Sequence, residues 1–293
     1  MELFLQRLID GLAVGAIYAS LALGLVIIYR SSGLINFAQG EMAMFTTYLA
    51  WMLVDNGLSV WLATSAAMVF GFVLGVLVER LLIAQFSGPK ESPLAIVIVT
   101  IGLFLFFNGL APWIWGTEGK SFPNLFGTGS VDLGGVTIKV QTLGIVGVLL
   151  AEVVLFYLMF QHTKLGLSLR AVASNRESSR LVGLRVGSIL AVGWGIAAMV
   201  GALSGTFVAS RIDLTQNLMQ VVLIYAFAAA TLGGFDSPVG AVVGGIIIGV
   251  VEQMAQYVDL FDGFTLLPVF LLILVVLLVR PQGLFGRAEV SRV

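Results

Sequence analysis

Few residues in this sequence are equipped for bond-making chemistry. His162 is the only histidine and cysteine is absent, which removes disulfides, thiolate or histidine-rich metal sites and cysteine nucleophiles, and most of what a His-dependent triad needs. Gly119-Lys120-Ser121 has the ending of a phosphate-binding loop, but that motif requires glycine five residues ahead of its second glycine, where Ile114 stands. No nucleophile–base pair or ligand set shares one apolar stretch. The sequence predicts no catalytic residue, no metal and no cofactor, and an intramembrane enzyme is disfavoured.

What remains is a small set of polar residues in apolar surroundings. The run Gly33-Leu34-Ile35-Asn36-Phe37-Ala38-Gln39-Gly40-Glu41 interrupts an apolar stretch with two glycines, two amides and a carboxylate. A second break, Leu232-Gly233-Gly234-Phe235-Asp236-Ser237-Pro238-Val239-Gly240, has a similar layout in the other half. Backbone at membrane depth must be buried in protein or line a wet cavity, and paired breaks in two halves point to a transport path. Asn36, Phe37, Gln39, Glu41, Gly233 and Gly234 are therefore path candidates; two ordinary tight loops at the inner surface are the alternative. Glu152 joins them as an ionisable side chain near the middle of an apolar run, where a charge must face the bundle interior or be neutralised. A structural hydrogen bond across helices explains it equally simply. Asn108 is a weaker candidate, and Glu79 beside Arg80 is expected at the inner interface.

The elements that hold these residues follow from composition. Of 293 residues 59% are hydrophobic and 11% charged, far from the roughly 25% charge of soluble domains. The fold class is all-α, a polytopic membrane helix bundle of eight to nine segments with broken or re-entrant helices, forming one domain over 1–293. Helices are expected near 8–29, 42–54, 60–84, 94–115, 143–160, 186–209, 221–232, 238–256 and 264–279. The runs 42–54 and 221–232 are too short to span alone. The first run is too long for a secretory signal and lacks a cleavage-site pattern, so it is read as a span.

A net charge of −1 without long basic runs excludes a nucleic-acid surface. Cytoplasmic loops hold the excess of Lys and Arg. Placing Lys164, Arg170, Arg176, Arg180 and Arg185 inside also puts Arg30, Arg80, Lys90, Arg280, Arg287 and Arg292 there, 11 of the 15 basic residues. Arg7, Lys120, Lys139 and Arg211 fall outside. The amino terminus is then outside and the carboxyl terminus cytoplasmic. In the outer loop 116–142, the turn glycines and the alternation of Val136 to Val140 predict a small hairpin. Glycines pair at four-residue spacing within spans, as Gly11/Gly15, Gly71/Gly75, Gly201/Gly205, Gly240/Gly244 and Gly245/Gly249, a pattern that lets helices approach closely.

Within the inner loop 161–185, residues 166–183 read as one amphipathic helix. Leu167, Ala171, Ser174, Ser178 and Leu181 fall on one face, with Arg170, Arg176, Glu177 and Arg180 around it and Gly183 closing its end. Such a helix suits docking to a cytosolic partner or a plain connection.

The sequence resembles the H-type permeases of bacterial branched-chain amino-acid ABC importers nearly end to end. The resemblance is carried by Gly11-Leu12 through Ala22-Leu23-Gly24-Leu25 and Tyr29, and by Ile35-Asn36-Phe37-Ala38-Gln39-Gly40-Glu41-Met42. It continues through Arg170-Ala171, Asn175, Gly183-Leu184, Leu232-Gly233-Gly234 to Gly240-Ala241, and Arg280-Pro281-Gln282-Gly283-Leu284-Phe285-Gly286. It implies a multi-pass protein of the bacterial inner membrane, working by alternating access with a second related permease subunit, two cytosolic ATPase subunits and a periplasmic substrate-binding protein. ATP hydrolysis would reside in those partners. The 161–185 loop would be the cytoplasmic coupling loop, with Arg170, Ala171, Asn175, Arg176, Glu177, Arg180 and Gly183 at the ATPase contact. Two departures stand out: Gln39 where many members have His, and Ser178-Ser179 where alanine is usual. Urea, amide and sugar permeases share the outline, and an ion-coupled secondary transporter using Glu152 and the helix breaks is the competing class.

Overall fold

The structure is a computed structural model and describes residues 2–86, 93–133, 136–256, 258, 261 and 264–286. Lys90, the Gly134-Gly135 pair, Arg287 and Arg292 lie outside the described residues. In chain order the elements are α1 (Glu2–Ser32), α2 (Gln39–Asp55), α3 (Val60–Leu81) with a 3-10 turn at Ile83–Phe86, α4 (Pro93–Trp115), β1 (Ser130–Leu133), β2 (Val136–Lys139) and α5 (Val140–His162). They continue with α6 (Lys164–Ser174), α7 (Arg176–Leu181), α8 (Val186–Ala209), α9 (Leu218–Gly233), α10 (Pro238–Ala255) and α11 (Leu267–Val279).

Each of the nine expected helical segments is a helix. Helices α1, α3 with its 3-10 turn, α4, α5, α8 and α10 are long and apolar enough to cross a membrane. The two runs read as too short do stay short: α2 has 17 residues and α9 has 16, about 24–26 Å at 1.5 Å per residue, against a hydrocarbon core of about 30 Å. The hairpin expected within 116–142 forms, with Val131 opposite Ile138 and Asp132 opposite Thr137.

The chain packs as two compact units. One comprises Met1–Val26, Phe126–Val153 and Ile224–Val293; the other comprises Ile27–Leu125 and Val154–Leu223.

In the first unit, α1 and α10 cross through their glycines. A Cβ on Gly11 would sit 2.8 Å from Val250 Cα, one on Gly15 2.9 Å from Ile246 Cα, and one on Gly245 2.5 Å from the Ala19 backbone. All are shorter than carbon–carbon contact, so only glycine allows this approach. Near the crossing, Tyr18 Oη donates to Glu252 Oε2 at 2.7 Å and its ring lies 4.8 Å from that of Tyr225. The start of α1 is tied to the hairpin by Gln6, whose amide donates to Thr137 O at 3.1 Å and accepts from Thr137 N at 3.0 Å.

In the second unit, α8 is the hub and α2, α3 and α6 pack on it. Gly71 and Gly75 of α3 fit against Ala198 and Trp194, where a Cβ on Gly75 would lie 2.8 Å from the Trp194 carbonyl carbon. Gly201 and Gly205 fit against Gln39, Ala43 and Thr47 of α2. The core of this unit is aromatic as well as small: Phe45 lies 5.2 Å from Phe107 and 5.1 Å from Trp115, which stacks on Tyr48.

The 161–185 loop departs from the expected single helix. Asn175 is extended (φ −158°, ψ 108°), ends α6, and caps α7 by accepting from Ser178 N at 2.9 Å. Asparagine favours this capping geometry over a helix interior, which breaks the run in two and resets its phase. The predicted apolar face is the outward one. Leu167 is 61% and Leu181 88% exposed, while Leu169 and Val172 form the inward stripe, Val172 clustering with Val186 and Leu190 of α8. Gly183 takes the expected left-handed conformation, at φ +86°.

Candidate functional site

The break before α2 folds onto the second unit and is held by amide hydrogen bonds. Asn36 and Gln39 are both fully buried. Asn36 Oδ1 accepts from Ala38 N at 3.0 Å, Asn36 Nδ2 donates to Gln39 Oε1 at 3.2 Å, and Gln39 Nε2 donates to Ala197 O of α8 at 2.8 Å. Buried amides saturated in this way fix geometry. They start α2 beside the middle of α8. Phe37 is only half-buried.

One turn into α2, Glu41 meets residues from two other elements. Its Oε2 accepts from Asn108 Nδ2 of α4 at 3.4 Å, and Gln220 of α9 faces the same carboxylate. Asn108 Nδ2 also contacts Gln216 O at 3.1 Å and Asn217 Oδ1 at 3.4 Å, and Gln220 Nε2 donates to Asn217 Oδ1 at 3.0 Å. Glu41 is 1% exposed, yet its Oε1 has no hydrogen-bond partner, nor has Gln216 Oε1. Four residues beyond Asn108, Pro112 has no N–H to donate to the Asn108 carbonyl. Glu41 and Asn108 are visible in the sequence, whereas Gln216, Asn217 and Gln220 went unnoticed; the signal available for them was a cluster of amides heading the short apolar run of α9.

The second break builds a tight turn. Gly234 is left-handed (φ +99°), and the carboxyl-terminal segment docks on it: Leu284 N donates to Leu232 O at 2.8 Å and Phe285 N to Gly233 O at 3.0 Å. A Cβ on Gly234 would lie 2.7 Å from Gly286 N. Gly233 and Gly234 thus join the motif 232–240 to the motif 280–286 through backbone contact.

Glu152, 7% exposed, faces Ser20 of α1 within the first unit. Replacement by Gln, which keeps shape and hydrogen-bonding capacity, is expected to preserve assembly and most transport, while Leu leaves Ser20 facing an apolar side chain and reduces the yield of folded protein. Abolished transport in an assembled Gln variant would instead place Glu152 in the transport path.

In the 161–185 loop, Arg170 reaches Gln161 at 3.3 Å, Ala171 is half-buried, and Glu177 and Arg180 are exposed. Arg176 differs from its sequence reading as a residue on the exposed side of a docking helix. Its guanidinium donates to the Ser32 carbonyl at the end of α1 and shares its surroundings with the buried Glu79. Burial holds the Arg176 guanidinium below its usual range, Arg180 adds to that, and Glu79 opposes it. A three-methylene stem and a planar fork let arginine bridge from the loop to the helix end, so proximity in space overrides the phase on its own helix.

A 370 Å³ cavity beside α3 and α4 is lined only by apolar residues, among them Phe45, Leu77, Leu103 and Phe107. It offers no polar group to orient a solute.

Residues 7–279 match the family model for the branched-chain amino acid transport system permease component. The chain belongs to that family. It is 30% identical to the high-affinity branched-chain amino acid transport system permease protein BraD of Pseudomonas aeruginosa, over 99% of this chain and 98% of that protein. It is 27% identical to the corresponding LivH protein of Escherichia coli K12, again over 99% and 98%. Among solved structures it resembles PsaBC from Streptococcus pneumoniae in complex with Fab, with a TM-score of 0.51 and 12% identity over 96% of this chain and 93% of that one, a likeness of fold alone. As a permease component with six membrane-length helices among the described residues, the chain is a multi-pass membrane transport subunit of the branched-chain permease family.

Proposed function

We propose that this permease imports branched-chain or other apolar amino acids across the bacterial inner membrane, by alternating access driven by two cytosolic ATPase subunits. A periplasmic binding protein delivers the substrate, and a second related permease subunit completes the pore. Full-length similarity to BraD and LivH supports the substrate class. The observation that carries energy coupling is the α6–α7 loop. Its inner stripe is consumed by α8, while Leu167, Leu181 and Val182 are 61%, 88% and 76% exposed beside Arg180. Exposed apolar residues ringed by charge have the composition of a docking surface.

The test is ATPase activity of the purified complex with and without loaded binding protein. Arg180→Glu combined with Leu181→Asp changes two exposed side chains and is expected to reduce recovery of the ATPase subunits several-fold. Gly183→Val has room for its side chain, since nothing lies within 4 Å, and pays only the left-handed penalty of about 1–2 kcal/mol; it is expected to re-aim the loop and lower stimulation. Wild-type recovery and stimulation in both variants would make the loop a passive connector.

This reading sets the α6–α7 loop in the cytoplasm and the 116–142 loop outside, with the amino terminus outside and the carboxyl terminus cytoplasmic. Because the chain lacks cysteine, single Ser178→Cys and Lys120→Cys variants report sidedness directly. An impermeant thiol reagent on spheroplasts is expected to label position 120 and spare 178, and equal labelling would refute the assignment.

A further inference from the structure

We infer that Glu41, with Asn108, Gln216 and Gln220, forms a subsite that receives the ammonium group of the transported amino acid. This rests on the amino-acid import reading above. A carboxylate that is 1% exposed is tolerated inside a protein when donors satisfy it. Glu41 has amide neighbours around one oxygen, and Oε1 has no protein donor. Gln216 joins the cluster through its backbone carbonyl, which Asn108 Nδ2 contacts at 3.1 Å. A buried carboxylate oxygen without a donor matches a cation that carries several N–H bonds, which an ammonium is. An anion or an apolar solute would leave that oxygen without a donor.

The placement fits passage through a bundle. Glu41 follows the irregular segment 33–38 and Gln216 lies in the irregular segment 210–217, so the starts of two helices meet Asn108 on the shaft of α4. The cluster grades from buried Glu41 through half-buried Asn108, Gln216 and Gln220 to exposed Asn217, which gives a polar route to the carboxylate. Asn36 and Gln39, saturated by each other and by α8, hold the start of α2 in place and are positioning residues.

The test uses the assembled complex carrying Gln220→Cys in this cysteine-free chain. Reaction with cationic 2-aminoethyl methanethiosulfonate is compared with that of anionic 2-sulfonatoethyl methanethiosulfonate by mass spectrometry of this subunit, each rate divided by its rate with a free thiol in water. A buried carboxylate a few ångströms away is expected to favour the cation by about tenfold or more, and adding Glu41→Gln is expected to abolish the preference. Binding-protein-dependent leucine uptake by the Glu41→Gln complex in proteoliposomes is expected to fall at least about tenfold, with Glu41→Asp in between. Equal normalised rates, no reaction with either reagent, or wild-type leucine uptake by the Gln variant would overturn the subsite. A cation preference at Gln220→Cys together with no leucine uptake by the wild-type complex would overturn the amino acid as its ligand.

Discussion

Replacing Gly245 by Leu is expected to remove most folded protein from the membrane, whereas Gly147→Leu is expected to behave as wild type. At Gly245 a Cβ would lie 2.5 Å from both Cα and N of Ala19, so the clash is with α1 backbone and no rotamer relieves it. Overpacking of a core costs about 1–3 kcal/mol when side chains can shift, and a rigid helix backbone puts this site at or beyond the upper end. Helix association in lipid has no hydrophobic driving force to offset the loss, because it depends on close packing. Gly147 on α5 has nothing within 4 Å, which makes it the control for hydrophobicity and helix propensity. Size-exclusion profiles and thermal midpoints in detergent report the difference; similar midpoints for the two variants would show that the α1–α10 crossing is looser than described.

Arg176→Glu is expected to destabilise the second unit, while Arg180→Glu leaves its thermal midpoint unchanged. Removing the guanidinium takes away the donor to the Ser32 carbonyl and the positive charge that balances Glu79, which is 2% exposed. Taking one partner from a buried charged contact costs about 3–5 kcal/mol, and the half-exposure of Arg176 lowers this to about 2 kcal/mol. Introducing a carboxylate adds like-charge repulsion. Arg176→Lys keeps the charge without the fork and is expected to fall between. Equal midpoints for Arg176→Glu and Arg180→Glu would return Arg176 to the docking surface.

These two sites also show what periodicity can and cannot reveal. Helix existence was legible because apolar runs must be about as long as the bilayer is thick, and the spacing of glycines named the crossings: Gly11, Gly15, Gly245 and Gly249 meet one another, and Gly71 and Gly75 meet α8. Which face of the inner loop is buried was not legible. A stripe drawn from Leu167 to Leu181 presumes one continuous helix, and the cap at Asn175 breaks that continuity. The Glu41 cluster was half legible. Glu41 stands out as a carboxylate in an apolar region, but its partners lie 67 or more positions away, on α4, α9 and the turn before α9. Such a meeting depends on how α2 is offset along α8, which Asn36, Gln39 and Gly201 set through tertiary contacts and no local pattern encodes.

The most direct test of the transport assignment is leucine uptake by proteoliposomes containing the complete complex, with the binding protein outside and ATP supplied to the face that bears α7. Accumulation is predicted to require ATP hydrolysis and the binding protein, and to persist when proton and sodium gradients are collapsed. Accumulation driven by an imposed ion gradient without ATP would contradict the account and identify the chain as an ion-coupled carrier.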